Sequence, residues 1–273
     1  MPSNRSPLLP DYKNPPLIEV VFGVHFETLH NFKAPYMGVF WDKLGREQYP
    51  ECEEHPPIGF VLETFGEVPL NQGVTVTIEP FTHPPLPRLF FINKVRNHLL
   101  QVQKDGFLQN WRKLQADTKY PRYKELFPNF LASWKLFNSF VKEQNLGELK
   151  VRQYEITYIN HIFRGQGWGY PRDVGSVFRD LGYIKDNRFL DEPESLAWRV
   201  AYRLPGNKGR LHVRMNQAVS KETTDQVFVL DLTARGINND GIKAWFDMAH
   251  EWIVRAFEDL TTSEIQDNVW KKK

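Results

Sequence analysis

The alternation of apolar and polar side chains over residues 18–28 predicts a half-buried strand, because period two is the repeat of a β-strand. One face of this segment carries Val20, Phe22, Val24 and Phe26. The other face carries Glu19, His25 and Glu27. The same composition predicts further strands at residues 89–93, 98–103, 149–163, 196–204, 210–217 and 226–234. Residues 56–87 are proline-rich and predict short strands, such as residues 74–78, joined by loops.

Two long segments instead show the three- and four-residue steps of an amphipathic helix. The first begins at Tyr123, is expected to span about 20 residues, and carries Leu126, Phe127, Phe130, Leu131, Trp134, Phe137, Phe140 and Val141. The second carries Trp245, Met248, Ala249, Trp252, Ile253, Ala256, Phe257 and Leu260. Shorter helices are predicted at residues 34–49 and 173–181.

Each half of the chain therefore has the order strand, helix, several strands, long helix. This order predicts an α+β fold in which antiparallel sheets each grip a long amphipathic helix, and it favours a tandem duplication of one unit. The predicted units are residues 1–148 and 149–273. The order resembles helix-grip or TBP-like arrangements, on the pattern of elements and without shared residues.

Composition narrows the class of protein. The chain has 273 residues, of which 41% are hydrophobic and 14% aromatic, enough for a packed core. Its net charge of +2 indicates that any nucleic-acid or other anionic partner would need a local basic patch. Cys52 is the only cysteine, which excludes an internal disulfide and a multi-cysteine zinc site and favours the cytoplasm. No apolar stretch is long enough for a secretory signal or a membrane span, so no membrane partner is expected.

The first candidate site is a group of basic side chains on two predicted strands, which we call the basic patch. It consists of Arg199, Arg203, Arg210, His212 and Arg214. Alternation places these side chains on one face, with Trp198, Val200 and Tyr202 on the other face of their strand. Arginine forks suit phosphates and carboxylates, so the patch predicts an anion or nucleic-acid surface. The alternative is a solvated face balanced by neighbouring acids such as Asp231 or Glu155.

The second candidate site is predicted as a loop that interleaves amides, cations and aromatic rings. Its members are Gln101, Gln103, Asn110, Trp111 and Arg112. Such a loop can stack on and hydrogen-bond a base or a peptide. The alternative is that Phe107 and Trp111 fill the core while Asp105 and Asn110 satisfy backbone groups.

Four motifs carry a family resemblance. They are NPPLIEVVF at residues 14–22, LQVQKDGF at 100–107, NWR at 110–112 and YPRY at 120–123. Together they resemble a sporadically distributed family of bacterial proteins of about this length, for which no reaction or catalytic residue is established. The resemblance implies a bacterial setting, and its patchy distribution is compatible with a mobile or anti-phage defence system.

The sequence contains only partial matches to known catalytic motifs. The histidines lack metal-site spacing, residues 165–169 lack the dinucleotide fingerprint, and Cys52 lies among glutamates that would raise the pKa of its thiol. Glu148 and Lys150 resemble half of a nuclease site, with Asp117 as a distant partner. No cofactor, catalytic residue or metal ligand is predicted.

The leading hypothesis is a non-enzymatic binding or regulatory protein that recognises an anionic ligand, a nucleic acid or a protein partner; a homodimer is compatible with the sequence. The second is a small-molecule binder with a cavity lined by Trp245, Trp252 and Tyr202. The third is a metal-dependent nuclease that uses Asp117 and Glu148.

Overall fold

The computed structural model describes residues 8–64, 85–115, 118–182, 189–190, 193–220, 224–237 and 240–273. The strands are β1 (Leu17–Phe26), β2 (Glu51–His55), β3 (Arg88–Ile92), β4 (His98–Gln103), β5 (Gly106–Arg112), β6 (Val151–Phe163), β7 (Ala197–Arg203), β8 (Arg210–Val219) and β9 (Gln226–Gly236). The helices are α1 (Ala34–Leu44), α2 (Tyr123–Glu143), α3 (Val174–Val177), α4 (Ile242–Leu260) and α5 (Ser263–Asn268).

The described strands form one sheet of nine, in the order β2-β3-β4-β5-β1-β6-β9-β8-β7. All described pairings are antiparallel, which confirms the α+β class. Strand β1 occupies the middle and pairs with β5 on one side and β6 on the other. The sheet therefore runs without a break from the first half of the chain into the second.

The long helices pack on one face of this sheet. On β1, the Phe22 ring stacks on Phe130 of α2 at 5.2 Å and lies 5.7 Å from Phe246 of α4. Tyr154 of β6 contacts Phe246 as well, at 5.6 Å. Because the apolar stripes of α2 and α4 meet the same aromatic layer, the two halves share one hydrophobic core.

Several element boundaries differ from those predicted. Residues 106–112, interpreted as part of a loop, form β5, with Phe107 and Trp111 buried toward the helices. Helix α1 ends at Leu44 because Gly45 takes a positive φ of 95° that stops the helix. Strand β2 and helix α5 were not predicted, and the helix predicted at 173–181 is a short 3₁₀ turn followed by α3. The strand predicted at 74–78 lies outside the described residues.

Among the described residues, no helix is both long enough and apolar enough to cross a bilayer.

Candidate functional site

The face of the sheet turned away from the helices carries most of the predicted site residues, and we call it the polar face. Residues opposite each other in an antiparallel pair point to the same side of the sheet. The described register therefore places on the polar face Gln101, Gln103, Asn110, Arg112, Arg199, Arg203, Arg210, His212 and Arg214. Trp111 is the exception, because it points to the helices and packs on Tyr120. Apolar Val21, Leu99 and Leu108 also lie on this face and are buried.

The residues of the second candidate site lie on strands β4 and β5, not in a loop, and two of them, Gln101 and Asn110, belong to a hydrogen-bonded line across four strands. Arg88 Nη1 donates to Gln101 Oε1 at 2.9 Å, and Gln101 Nε2 donates to Asn110 Oδ1 at 2.8 Å. Asn110 Nδ2 then donates to Glu19 Oε1 at 2.6 Å. The interpretation of this stretch as a loop was wrong, because its amides are satisfied by neighbours in the sheet.

The five side chains of the basic patch share the polar face at the other end of the sheet. Arg199 lies opposite Arg214, and Arg203 lies opposite Arg210. Arg199, Arg203 and Arg214 are exposed. Strands β5 and β8 are four strand spacings apart, about 19 Å, so the two candidate groups do not form one small-ligand site.

The two acids expected to balance the charge of the basic patch, Asp231 and Glu155, have different partners. Asp231 lies opposite Arg214 in the β8–β9 register, as the alternative interpretation requires. Glu155 is engaged elsewhere, because it accepts from Arg235 Nε at 2.6 Å. The exposed arginines thus have one acid, Asp231, beside them in the register.

A segment after β2 crosses the polar face, and we call residues 56–64 the strap. Ile58 bonds to Gln103 of β4, and Val61 and Glu63 bond to Gln153 of β6. At its far end, Glu63 Oε2 accepts from Arg210 Nη1 at 2.7 Å, and Glu63 Oε1 lies 2.5 Å from His212 Nε2. Two members of the basic patch therefore already bind a carboxylate.

An aromatic contact fixes the middle of the strap. The Phe60 ring lies 3.8 Å from the ring of His25 and covers Gly106, where an added Cβ would come within 2.5 Å of it. His25 is 2% exposed, and its Nε2 lies 3.6 Å from Glu155 Oε2. A recess of about 440 Å³ adjoins Phe60 and is lined by His25, Phe60, Leu62, Asp105 and Arg152 among others.

Burial raises the pKa values of the acidic side chains on the polar face, whereas ion pairing and hydrogen bonding lower them. Burial raises the pKa of Glu19, which the Asn110 hydrogen bond and Arg112 only partly offset. Burial also raises the pKa of Asp231, with Arg214 opposing. Burial alone would raise the pKa of Glu63, but the hydrogen bonds from His212 and Arg210 more than offset it, and the pKa is lowered. Glu63 is therefore a carboxylate at neutral pH.

A second polar cluster lies on the helix side and had no sequence signal. The Tyr158 hydroxyl lies 3.0 Å from His250 Nδ1 and 3.0 Å from the Tyr120 hydroxyl. Tyr123 stacks on the His250 ring at 4.1 Å and donates to Asp247 at 2.8 Å. Burial lowers the pKa of His250 to about 4, so the ring is neutral in the core at pH 7.

The structure locates residues on which the nuclease and small-molecule hypotheses depend. Glu148 is exposed ahead of β6, and Asp117 lies outside the described residues. The part of the chain that the structure describes contains no group of three His, Cys, Asp or Glu side chains able to hold a metal ion. Trp245 is fully buried against Tyr154 and Phe246, so it does not border a void wide enough for water.

Sequence reasoning missed the strap, the contact of Phe60 with His25 and the binding of Glu63 by Arg210 and His212. The paired prolines Pro56 and Pro57 at its start are the only local signal of an extended segment. Its hydrogen-bond partners lie 45 to 149 residues away along the chain, beyond the reach of local patterning.

Comparison with known proteins identified no homologue of this chain. No protein-family model matches the chain, and no curated protein is significantly similar to it.

Proposed function

We propose that this protein is a non-enzymatic binding protein that recognises an anionic partner through the polar face of its sheet. The observation that carries the proposal is the Glu63 carboxylate held between Arg210 and His212. This contact is an example, within the chain, of the basic patch binding an anion. The exposed Arg199, Arg203 and Arg214 extend the same positive surface toward solvent.

Arginine suits this role for geometric reasons. Its guanidinium presents several N–H donors in a fixed fork that matches carboxylate and phosphate oxygens. Arg199 and Arg214 are register partners and so present two forks side by side. Two adjacent forks fit a partner with repeated anionic groups better than one with a single charge.

Charge reversal tests the proposal directly. The double variant Arg199→Glu with Arg214→Glu should bind poly-L-glutamate and a single-stranded oligonucleotide at least about tenfold more weakly, and its dependence on salt should be shallower by about one unit per arginine. Fluorescence anisotropy over a salt series measures both. The oligonucleotide and the polypeptide separate a nucleic-acid partner from an acidic protein.

The matched control is the double variant Lys124→Glu with Lys135→Glu, which makes the same change of net charge on the exposed surface of α2, on the helix side. It should bind both probes as the wild type does. If the arginine variant and the control bind alike, the basic patch is not the recognition surface.

Removing the internal carboxylate should have the opposite effect. Glu63→Gln is expected to strengthen poly-L-glutamate binding by about three- to tenfold, because Arg210 and His212 lose their charged internal partner. Glu53→Gln removes the same charge from β2 at the far edge of the sheet and serves as the control. Equal affinities of the two variants would show that Glu63 does not compete for the patch.

The finer fold assignment is also a proposal: each half is a repeat of one helix-gripping unit. The strand order supports this assignment. From the centre of the sheet outward, the first half has the order β1-β5-β4-β3-β2 and the second half has the order β6-β9-β8-β7. In both halves the first strand is central, the last strand lies next to it, and the earlier strands follow toward the edge. Each half also places one long helix, α2 or α4, on the same side of the sheet. The division at residue 148 follows from this interpretation.

The cellular setting rests on other grounds. A bacterial, cytoplasmic protein with a role in phage defence is proposed from the sequence resemblance and the single cysteine alone. A binding protein of this kind would act by engaging another component of such a system.

A further inference from the structure

The polar face holds the strap by its main chain as well as by its side chains. Gln103 accepts from Ile58 N–H at 3.2 Å through Oε1 and donates to the Ile58 carbonyl at 2.8 Å through Nε2. Gln153 accepts from Glu63 N–H at 2.7 Å and donates to the Val61 carbonyl at 3.0 Å. Each amide thus pairs with one backbone donor and one backbone acceptor of an extended segment.

These two glutamines are built into the sheet. Gln103 is 3% exposed and Gln153 is 2% exposed, so their amides are costly to leave without partners. A side-chain amide can accept from a backbone N–H and donate to a backbone C=O, so it can bind the main chain of a peptide whatever its side chains are. The pair therefore provides recognition of an extended backbone that does not depend on sequence.

Two subsites for side chains, which we call seats, add specificity for particular residues of the bound segment. The first accepts the Phe60 ring over His25, where Gly106 leaves the room that a larger residue would fill. The second accepts the Glu63 carboxylate between Arg210 and His212. The two seats are filled by residues three positions apart, which defines the pattern aromatic-x-x-acidic.

The apolar side chains of the strap other than Phe60 leave much of their surface exposed. Val61 is 62% exposed, Leu62 38% and Ile58 37%, in contrast to the fully buried core rings. Opening the strap therefore costs chiefly its amide hydrogen bonds, the Phe60 contact and the Glu63 ion pairs, and a bound peptide that offers the same groups replaces all three. The seats can then be vacated without disturbing the core.

We propose that the polar face is a peptide-binding site, which takes an extended segment of a partner protein with an aromatic residue three positions before an acidic one. The strap occupies this site in competition with the partner. The proposal rests on the anion recognition proposed above, because the partner's carboxylate is the anionic group, and it adds the backbone amides and the aromatic seat. Binding that relies on paired main-chain contacts and side-chain pockets is an established way to recognise extended peptides.

The test uses a fluorescent nonapeptide with the sequence of residues 56–64 and the full chain carrying Phe60→Ala and Glu63→Ala. Circular dichroism and the thermal midpoint confirm that this vacated chain is folded. The peptide should bind the vacated chain at least tenfold more tightly than the wild type, whose own strap competes at high effective concentration. Replacing phenylalanine by alanine, or glutamate by glutamine, in the peptide should each weaken binding at least tenfold.

A further variant tests the aromatic seat without a change of charge. Gly106→Ala in the vacated chain should weaken binding of the same peptide at least tenfold, because the added methyl group fills the space of the ring. A scrambled peptide that binds the vacated chain equally well would overturn the proposal. So would peptide affinity that Gly106→Ala leaves unchanged.

The outcomes separate the two proposals. If the peptide fails to bind the vacated chain while poly-L-glutamate still binds through Arg199 and Arg214, the peptide site is overturned and anion recognition stands. If the peptide binds but the charge-reversed variant retains its affinity for polyanions, the peptide site is supported and the exposed arginines are not part of it. A wild-type dimer abolished by Phe60→Ala and Glu63→Ala would make a second copy the occupant and overturn the assignment to a partner protein.

Discussion

Replacing Phe246 by alanine is expected to lower the free energy of unfolding by about 3–5 kcal/mol. Phe246 has no exposed surface and lies where the two halves of the chain meet. Its ring centroid is 5.3 Å from those of Phe127 and Phe130 on α2, and 5.6 Å from that of Tyr154 on β6. The truncation therefore leaves a cavity shared by both halves.

Urea denaturation followed by circular dichroism measures this loss. Because both halves contribute to the cavity wall, the variant should still unfold in one transition, at a lower urea concentration. Phe189→Ala is the matched control, since Phe189 is fully exposed and its removal should change stability by less than about 0.5 kcal/mol. Two separate transitions, or a loss no larger than that of the control, would contradict a shared core.

Stability should also fall in mild acid because of His250. Its folded-state pKa of about 4 lies below the value of about 6.5 for a free histidine, so the unfolded chain takes up a proton first as the pH falls. The stability present above pH 6.5 is therefore lost between pH 6.5 and 4, and the full loss is about 3 kcal/mol. About 2 kcal/mol of this is expected by pH 5.

Comparison with His250→Asn isolates this contribution. Asparagine offers an acceptor to Tyr158 but does not titrate, so the variant should lose about 2 kcal/mol less than the wild type between pH 7 and pH 5. Burial also lowers the pKa of His98, which contributes equally to both chains. Glu63 and Glu155, whose pKa values are lowered, lose their stabilising charge only at lower pH. Equal pH dependence of the two chains would rule out His250 as the cause.

The helices were predictable because their burial is one-sided. The apolar stripes of α2 and α4 face the sheet and their opposite sides face solvent, which produces the helical repeat in the sequence. The alternation on β7 and β8 likewise identified which basic side chains share a face. That these side chains bind an anion of another molecule stays a prediction.

Strand β5 was missed because it is buried on both faces. Its helix side carries Phe107 and Trp111, while its polar side carries Asn110, which is buried with amide and carboxylate partners on β4 and β1. Burial of polar side chains removes the contrast between the two faces. The amides of Gln101 and Asn110 are satisfied only after four strands have been brought together, which a single segment of sequence does not reveal.

The strap could not be predicted for a related reason. It forms no backbone ladder and has no repeat, so neither strand nor helix patterning applies. Glu63 finds Arg210 and His212 far along the chain, and only the folded sheet makes them neighbours. His250 similarly gains its environment from Tyr123 and Tyr158, which lie on other elements.

The central position of β1 has a consequence for synthesis of the protein. Strand β1 is synthesised before both of its partners, and β6 begins only at Val151, so one edge of β1 stays unpaired while the residues between Phe26 and Val151 emerge from the ribosome. Nearly every residue of β1 is buried in the finished sheet, which makes this edge prone to aggregate. High-level expression should therefore depend on slow translation or on a chaperone that shields the nascent first half until residue 163 has been added.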